Sequence, residues 1–312
     1  MLSRKLATVA VLLTLGGCGT EADQTDEVEK VQSAVVSPDV KPNGRGIGIH
    51  QQWEKTAGKR PGGGNGISYH GGPLMLGTPN VYYIWYGNWS TSSGADATAI
   101  LTDLASNIGG SPYYNINTTY TDGASAAITN AVHFAGSALD NYSGGTSLSD
   151  AAIFGVVKAA IGSGQLPSDA NGIYFVLTSA DVTAASGFCT KYCGWHTHGA
   201  FNGVDIKYSF VGNADRCPSS CAAQANGPNG NAGADAMASV LAHELEEATS
   251  DPDLNAWFDN RGYENADKCA WSFGTTYAVA NGSLANMKLG TRDYLIQRNW
   301  VNAAGGYCAL SY

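Results

Sequence analysis

The chain has 312 residues, 44% of them hydrophobic and 14% charged, with 40 glycines. That is enough apolar matter for one large core, in a composition that fits a loop-rich exported globule better than a charged helical protein. The formal net charge of −9 becomes −11 once Met1–Gly17, which carries Arg4 and Lys5, is removed, and such a surface excludes a nucleic-acid partner because nothing neutralises phosphates.

Residues 1–17 read as an export signal: Arg4-Lys5, the apolar run Leu6–Leu15, then small residues. The run is too short to span a bilayer. Leu15-Gly16-Gly17-Cys18 resembles a bacterial lipobox. Lipidation of Cys18 would give an exported extracellular or cell-envelope protein whose only membrane contact is that anchor. Ordinary cleavage that leaves Cys18 free is the alternative. Residues 18–66 are polar, then rich in Pro and Gly, and are expected to form a flexible tether. A single domain is expected over 67–312.

Within the domain, Val81–Trp85 reads as a buried strand from its β-branched and aromatic content. Its aromatics, through Trp89, fit core and cleft wall, with a sugar-binding platform as the alternative. Ile100, Leu101, Leu104 and Ile108 give helical spacing to Ala95–Ile108, closed by Gly109-Gly110. Tyr113–Tyr120 and Val132–Ala135 read as short strands. Ser147-Leu-Ser-Asp150 reads as a capping box opening a helix over Ala151–Ile161. Ile173–Thr178 is the clearest central strand, and Phe201–Val211 a further one. A helix is expected over Ala234–Thr249, a loop over Asn255–Lys268 and a last strand over Tyr294–Trp300. Strands alternating with helices predict a layered α/β domain.

Apart from Cys18 there are six cysteines: Cys189, Cys193, Cys217, Cys221, Cys269 and Cys308. An even number in an exported chain predicts three disulfides, whose pairing sequence does not decide. The oxidising compartment argues against reading the two C-x-x-x-C pairs as zinc thiolates.

The candidate chemistry centres on His243-Glu244-Leu-Glu246-Glu247 near the end of the last helix. From residue 61 onward the only glutamates are Glu244, Glu246, Glu247 and Glu264, three of them in this turn. His243 and Glu247 are four apart on one helical face, so both can reach one ion. Glu244 points about 100° round the helix, the position from which a general base takes a proton from metal-bound water. Asp253, Asp259, Glu264 and Asp267 follow within a short stretch and offer a third ligand. One imidazole with two carboxylates is a hard, anionic site, open to zinc, calcium, manganese or iron. The same spacing also fits a solvated acidic turn, and Glu246 is expected to face solvent. Trp195-His196-Thr-His198 is a second candidate, where an extended segment puts both histidines on one side. There is no P-loop, no dinucleotide fingerprint and no Gly-x-Ser-x-Gly.

Several stretches resemble the EXORDIUM, or phosphate-induced protein, family. They are Gly71-Gly-Pro-Leu74, Ile84-Trp-Tyr-Gly-Asn-Trp89, Tyr174–Val182, Cys189-x-x-x-Cys193-Gly-Trp-His196, Cys217-Pro218-x-x-Cys221-Ala222, His243-Glu-Leu-x-Glu247, Asn255-Ala-Trp257, Glu264-x-x-Asp267-x-Cys269 and Tyr294-Leu-Ile-Gln297. The resemblance runs from about Ile67 to the C-terminus and leaves out the tether. It implies an extracellular protein of a kind associated with plant growth, to which no catalytic activity is firmly assigned. Its pattern includes His196, His243, Glu244, Glu247, Glu264, Asp267 and the six cysteines, but neither His198 nor Asp253. Glu264 or Asp267 is therefore favoured over Asp253 as third ligand. The lipobox and tether depart from the plant pattern and suggest a bacterial member.

The combined expectation is a zincin-like α/β (α+β) domain with a mixed twisted sheet and a metal-site helix, stapled by disulfides. His243, Glu247, Glu264 and Asp267 are the metal ligands, with zinc the first choice and calcium the second. Glu244 is the general base and His196 an additional ligand or charge stabiliser, in a metal-dependent hydrolase read first as a peptidase, with a peptide or cell-wall substrate as its partner. The alternative is a non-catalytic extracellular surface protein with structural calcium or carbohydrate binding.

Overall fold

The computed structural model describes residues 66–90 and 94–312. The expected export signal, Cys18 and all but the last residue of the expected tether lie outside the described residues. Among those described, no helix is long and apolar enough to cross a membrane.

The core is a five-stranded mixed sheet made of β1 (Asn80–Tyr86), β2 (His133–Asp140), β3 (Gly172–Thr178), β4 (Gly194–Phe201) and β5 (Val204–Val211), in the order β2-β1-β3-β5-β4. All neighbours run parallel except β4, which pairs antiparallel with β5 at the edge. Every residue of β3 is buried, as a parallel strand covered on both faces requires, and its apolar run carries that signature. Alternation along β1 sends Tyr83 to one face and Tyr86 to the other. Tyr83 donates to Leu101 O on helix α1 (Gly94–Asn107), while Tyr86 donates to Gly145 O. Helix α2 (Asp150–Gly162) packs on β1, β2, β3 and β5. The third helix, α3 (Ala232–Ser250), packs on α1, β4 and β5. The aromatics Tyr82, Trp85 and Trp89 are buried, so this stretch is core and offers no open platform for a sugar.

Several sequence expectations change. Phe201–Val211 is not one strand but the corner and second arm of a hairpin. Asn202 and Gly203 both have positive φ, 50° and 77°, the backbone that an Asn-Gly two-residue turn supplies. Tyr113–Tyr120 contains a 3-10 helix, Tyr114–Thr119, instead of a strand. Its tyrosines are buried around Glu246 and Glu247, and they satisfy the β-like composition without entering a sheet. Helix α2 is capped by Ser149, which accepts from Ala152 N, and not by Ser147, which belongs to a two-residue strand. Tyr294–Trp300 divides between two short ladders, Arg292–Tyr294 and Asn299–Val301.

The six cysteines form three disulfides: Cys189–Cys217, Cys193–Cys221 and Cys269–Cys308. The first two tie the segment before β4 to the segment before α3. The third ties the acidic loop after α3 to the C-terminal ladder.

Candidate metal centre

Helix α3 starts at Asn231, whose side chain accepts from Ala234 N, and ends where Asp251 N donates to Glu247 O. From Met237 to Ser250 every side chain is buried. A helix buried all round is normally apolar all round. This one carries His243, Glu244, Glu246 and Glu247, each with no exposed surface. Buried charges need partners or a metal, because their desolvation is otherwise very costly. The expectation that Glu246 faces solvent is therefore wrong. The 3-10 helix and the C-terminal ladders cover the side of α3 that would otherwise be open, and Glu246 Oε2 accepts from Asn299 Nδ2 at 2.6 Å. Burial pushes the Glu246 carboxyl well above its usual range, outweighing that hydrogen bond.

The remaining acids converge on two histidines. His243 Nε2 lies 3.0 Å from Glu247 Oε1 and 3.4 Å from Asp267 Oδ1. His196, on edge strand β4, has Nδ1 3.3 Å from Glu244 Oε2 and 3.6 Å from Glu247 Oε2. Its Nε2 lies 3.6 Å from Glu264 Oε1. All six of these side chains have no exposed surface. The tertiary structure thus brings together His196, His243, Glu244, Glu247, Glu264 and Asp267 from a strand, a helix and a loop.

Local devices hold each part. At Gly194 the edge strand comes so near α3 that a Cβ there would sit 2.6 Å from Val240 Cγ1 and 3.2 Å from Glu244 Oε1. In the loop, Asp267 N donates to Glu247 Oε1 at 3.0 Å, and Glu264 N donates to Asp267 Oδ2 at 3.0 Å. Asp267 Oδ1 is left aimed at His243. Asp267 opens a short 3-10 turn ending at Cys269, which the disulfide to Cys308 anchors.

Several buried atoms here have no hydrogen-bond partner: both ring nitrogens of His243, Nε2 of His196, Oε2 of Glu247 and Oδ1 of Asp267. The contacts of His243 are short but lack hydrogen-bonding geometry. Protons alone strain the balance. Burial lowers both imidazoles, and the surrounding carboxylates more than reverse it, raising His196 and His243 well above the ordinary histidine range. Glu247 is held low against burial by His243 and His196, while burial lifts Glu244.

The donor set suits an ion bound by both nitrogen and oxygen. Imidazole favours zinc or iron, carboxylates are shared with manganese, and calcium prefers oxygen alone. Adjacent donors about 3.0–3.4 Å apart are what bonds of about 2.1 Å to a common ion produce, and the contacts around His243 fall in that range at 3.0 and 3.4 Å.

Asp253 and His198 lie elsewhere. His198 Nδ1 is 2.9 Å from Asp205 Oδ1 and 3.8 Å from Asp253 Oδ1 in a half-exposed group. Lys207 Nζ already fills that group, 2.8 Å from Asp205 and 3.5 Å from Asp253. Asp259 pairs with Lys268 at 2.9 Å and takes no part in the centre. Sequence reasoning missed Asn299 and Asp205; the first stands in the polar run Gln297-Arg298-Asn299, which nothing local distinguishes from a solvated turn.

Comparison with known proteins places these features in context. Residues 67–297 match the family model described as the phosphate-induced protein 1 conserved region. The protein EXORDIUM-like 5 of Arabidopsis thaliana is 32% identical over 272 residues, 75% of this chain and 75% of that relative. EXORDIUM-like 3 of the same plant is 31% identical, over 78% of this chain and 82% of the relative. The PHOSPHATE-INDUCED 1 protein of Nicotiana tabacum is 28% identical over 62% of this chain and 67% of the relative. None of the three is named for a peptidase activity. No solved structure matches.

Proposed function

Because the chain belongs to the phosphate-induced protein 1, or EXORDIUM, family, we propose that it is an exported, non-catalytic surface protein built around an enclosed structural metal centre. One observation carries the reading: His243, Glu244, Glu247, Glu264 and Asp267 have no exposed surface. Structural metal sites are closed by protein ligands, whereas catalytic ones keep a position open to water and substrate. The centre joins edge strand β4, helix α3 and the loop that follows it, so the ion would act as a cross-link between segments distant in sequence. Mixed nitrogen and oxygen donors favour zinc, manganese or iron over calcium. Lipidation at Cys18 would hold the domain at the cell envelope by its tether.

A zincin-like metallopeptidase is the second reading. It is supported by the His243-Glu244-x-x-Glu247 helix packed against a mixed sheet with an antiparallel edge strand. In that reading Glu244 would take a proton from bound water. Its place 3.3 Å from His196, behind fully covered walls, speaks for a holding role.

The experiment is a metal assay with a thermal melt and a protease assay on the exported protein. The expected result is co-purified transition metal, a lower Tm after chelation and no cleavage of protein substrates. Cleavage that disappears in Glu244→Gln would establish the peptidase instead. Absence of metal together with a chelator-insensitive Tm would remove both readings.

A further inference from the structure

We infer that the centre is dinuclear, with two divalent cations bridged by the carboxylate of Glu247. The inference rests on the metal reading above and goes beyond it in number and arrangement of ions. Its first support is the division of labour within Glu247. Oε1 faces His243 Nε2 at 3.0 Å, and Oε2 faces His196 Nδ1 at 3.6 Å. One carboxylate thus presents its two oxygens to two different imidazoles.

Two donor triads follow from this. His243, Glu247 and Asp267 form one, and His196, Glu244 and Glu247 form the other; within each, donor atoms lie within 4.8 Å of one another. The triads share only Glu247. A carboxylate bridging in this way holds ions about 3.5–4 Å apart, as two-metal sites do.

Charge gives a second, independent support. Glu244, Glu247, Glu264 and Asp267 place four carboxylates in a volume with no solvent access. Two divalent ions with neutral imidazoles balance those four negative charges in full, whereas one ion does not, and uncompensated buried charge carries a large desolvation cost. Lys268, the cation next along the chain from Asp267, is engaged 2.9 Å from Asp259 and over the Trp300 ring, so it does not fill that deficit.

The unpartnered atoms supply the third support. His243 Nε2, Glu247 Oε2 and Asp267 Oδ1 are buried, lack hydrogen-bond partners and point into the triads. Glu264 has a different place. Its Oε1 faces His196 Nε2, the ring nitrogen turned away from the second triad. A carboxylate there fixes the tautomer that leaves Nδ1 free for an ion. Glu264 is a positioning residue in this arrangement and the bridging role belongs to Glu247.

The test counts ions. The exported protein is purified without chelators from medium containing zinc, manganese and iron, and metal per chain is measured by mass spectrometry. About two divalent ions per chain are expected. Asp267→Asn and Glu244→Gln should each retain about one, and Glu247→Gln fewer than either. One ion per wild-type chain overturns the dinuclear centre while leaving the metal reading intact; none overturns both. Should the variants fail to fold, cobalt(II)-loaded wild type decides. A carboxylate bridge couples the two spins and attenuates the paramagnetic resonance signal, whereas full intensity from two ions per chain overturns the bridge.

Discussion

The backbone N–H of Asp267 donates to Oε1 of Glu247 across 3.0 Å, joining the acidic loop directly to the helix that carries the His-Glu sequence. With the approach of Glu264 Oε1 to His196 and of Asp267 Oδ1 to His243, this bond makes the loop part of the centre. It orients Glu247, and it places Asp267 Oδ1 opposite His243. The loop itself has little regular structure, so its position depends on such bonds and on the disulfide beside it.

That disulfide should matter to stability and to the centre together. Cys269–Cys308 closes a segment with a sequence separation of 39 residues. By the chain-entropy argument a loop of that size contributes about 3–4 kcal/mol. Replacing both cysteines by serine should lower stability by that order in chemical denaturation. It should also weaken metal retention on dialysis, since Asp267 lies two residues from the lost anchor. Unchanged retention would show that hydrogen bonding alone positions the loop.

Gly194→Ala should disturb the contact between edge strand and helix. The new Cβ would meet Val240 Cγ1 at 2.6 Å and Phe210 O at 3.0 Å. Valine is stiff at χ1 and the carbonyl is fixed in the sheet, so neither yields easily. A loss of about 1–3 kcal/mol is expected for such overpacking, read as a fall in Tm. A Tm equal to wild type would mean that β4 shifts away without cost.

Asn299→Leu removes the donor to Glu246 Oε2. A buried carboxyl left without its partner costs about 1–3 kcal/mol. The variant should denature at lower urea concentration, with an unchanged slope. Equal stability would indicate that the larger apolar side chain compensates by packing.

The pair Lys268 and Asp259 gives a pH dependence. Burial alone would raise the Asp259 carboxyl, but the hydrogen bond from Lys268 and the backbone N–H groups of Tyr263 and Arg261 outweigh it and hold it below its usual range. A carboxyl depressed in the fold contributes stability that is present above its unfolded value, about 4, and lost as pH falls through its folded value. Asp259→Asn leaves Lys268 buried without a counter-charge and should cost about 3–5 kcal/mol at neutral pH. The gap from wild type should close as pH falls below about 4. A gap constant down to pH 2 would show that the pair contributes by shape and not by charge.

Local patterns along the chain carried much of this molecule. The unbroken apolar run of β3 marks a strand covered on both faces, and the spacing of Ile100, Leu101 and Leu104 is the 3.6-residue repeat that helix geometry imposes wherever one face is buried. The concentration of glutamate in α3 and after it marked the centre for a similar reason: a residue type otherwise missing from the domain does not cluster in one turn without partners. Asn202-Gly203 was an equally local signal for the hairpin, and it was overlooked. What remained out of reach depended on contacts between distant segments. No pattern in Tyr113–Tyr120 says that its tyrosines will wrap α3, and therefore none says that Glu246 is sealed from water. Likewise His196 reaches Glu247 only because β4 lies at the sheet edge beside α3, with Gly194 allowing the close approach. The residue types of the centre were thus decided by sequence alone. Its closure, its two triads and the pairing of its disulfides were decided by packing, because burial and convergence are properties of the whole fold and not of any one segment.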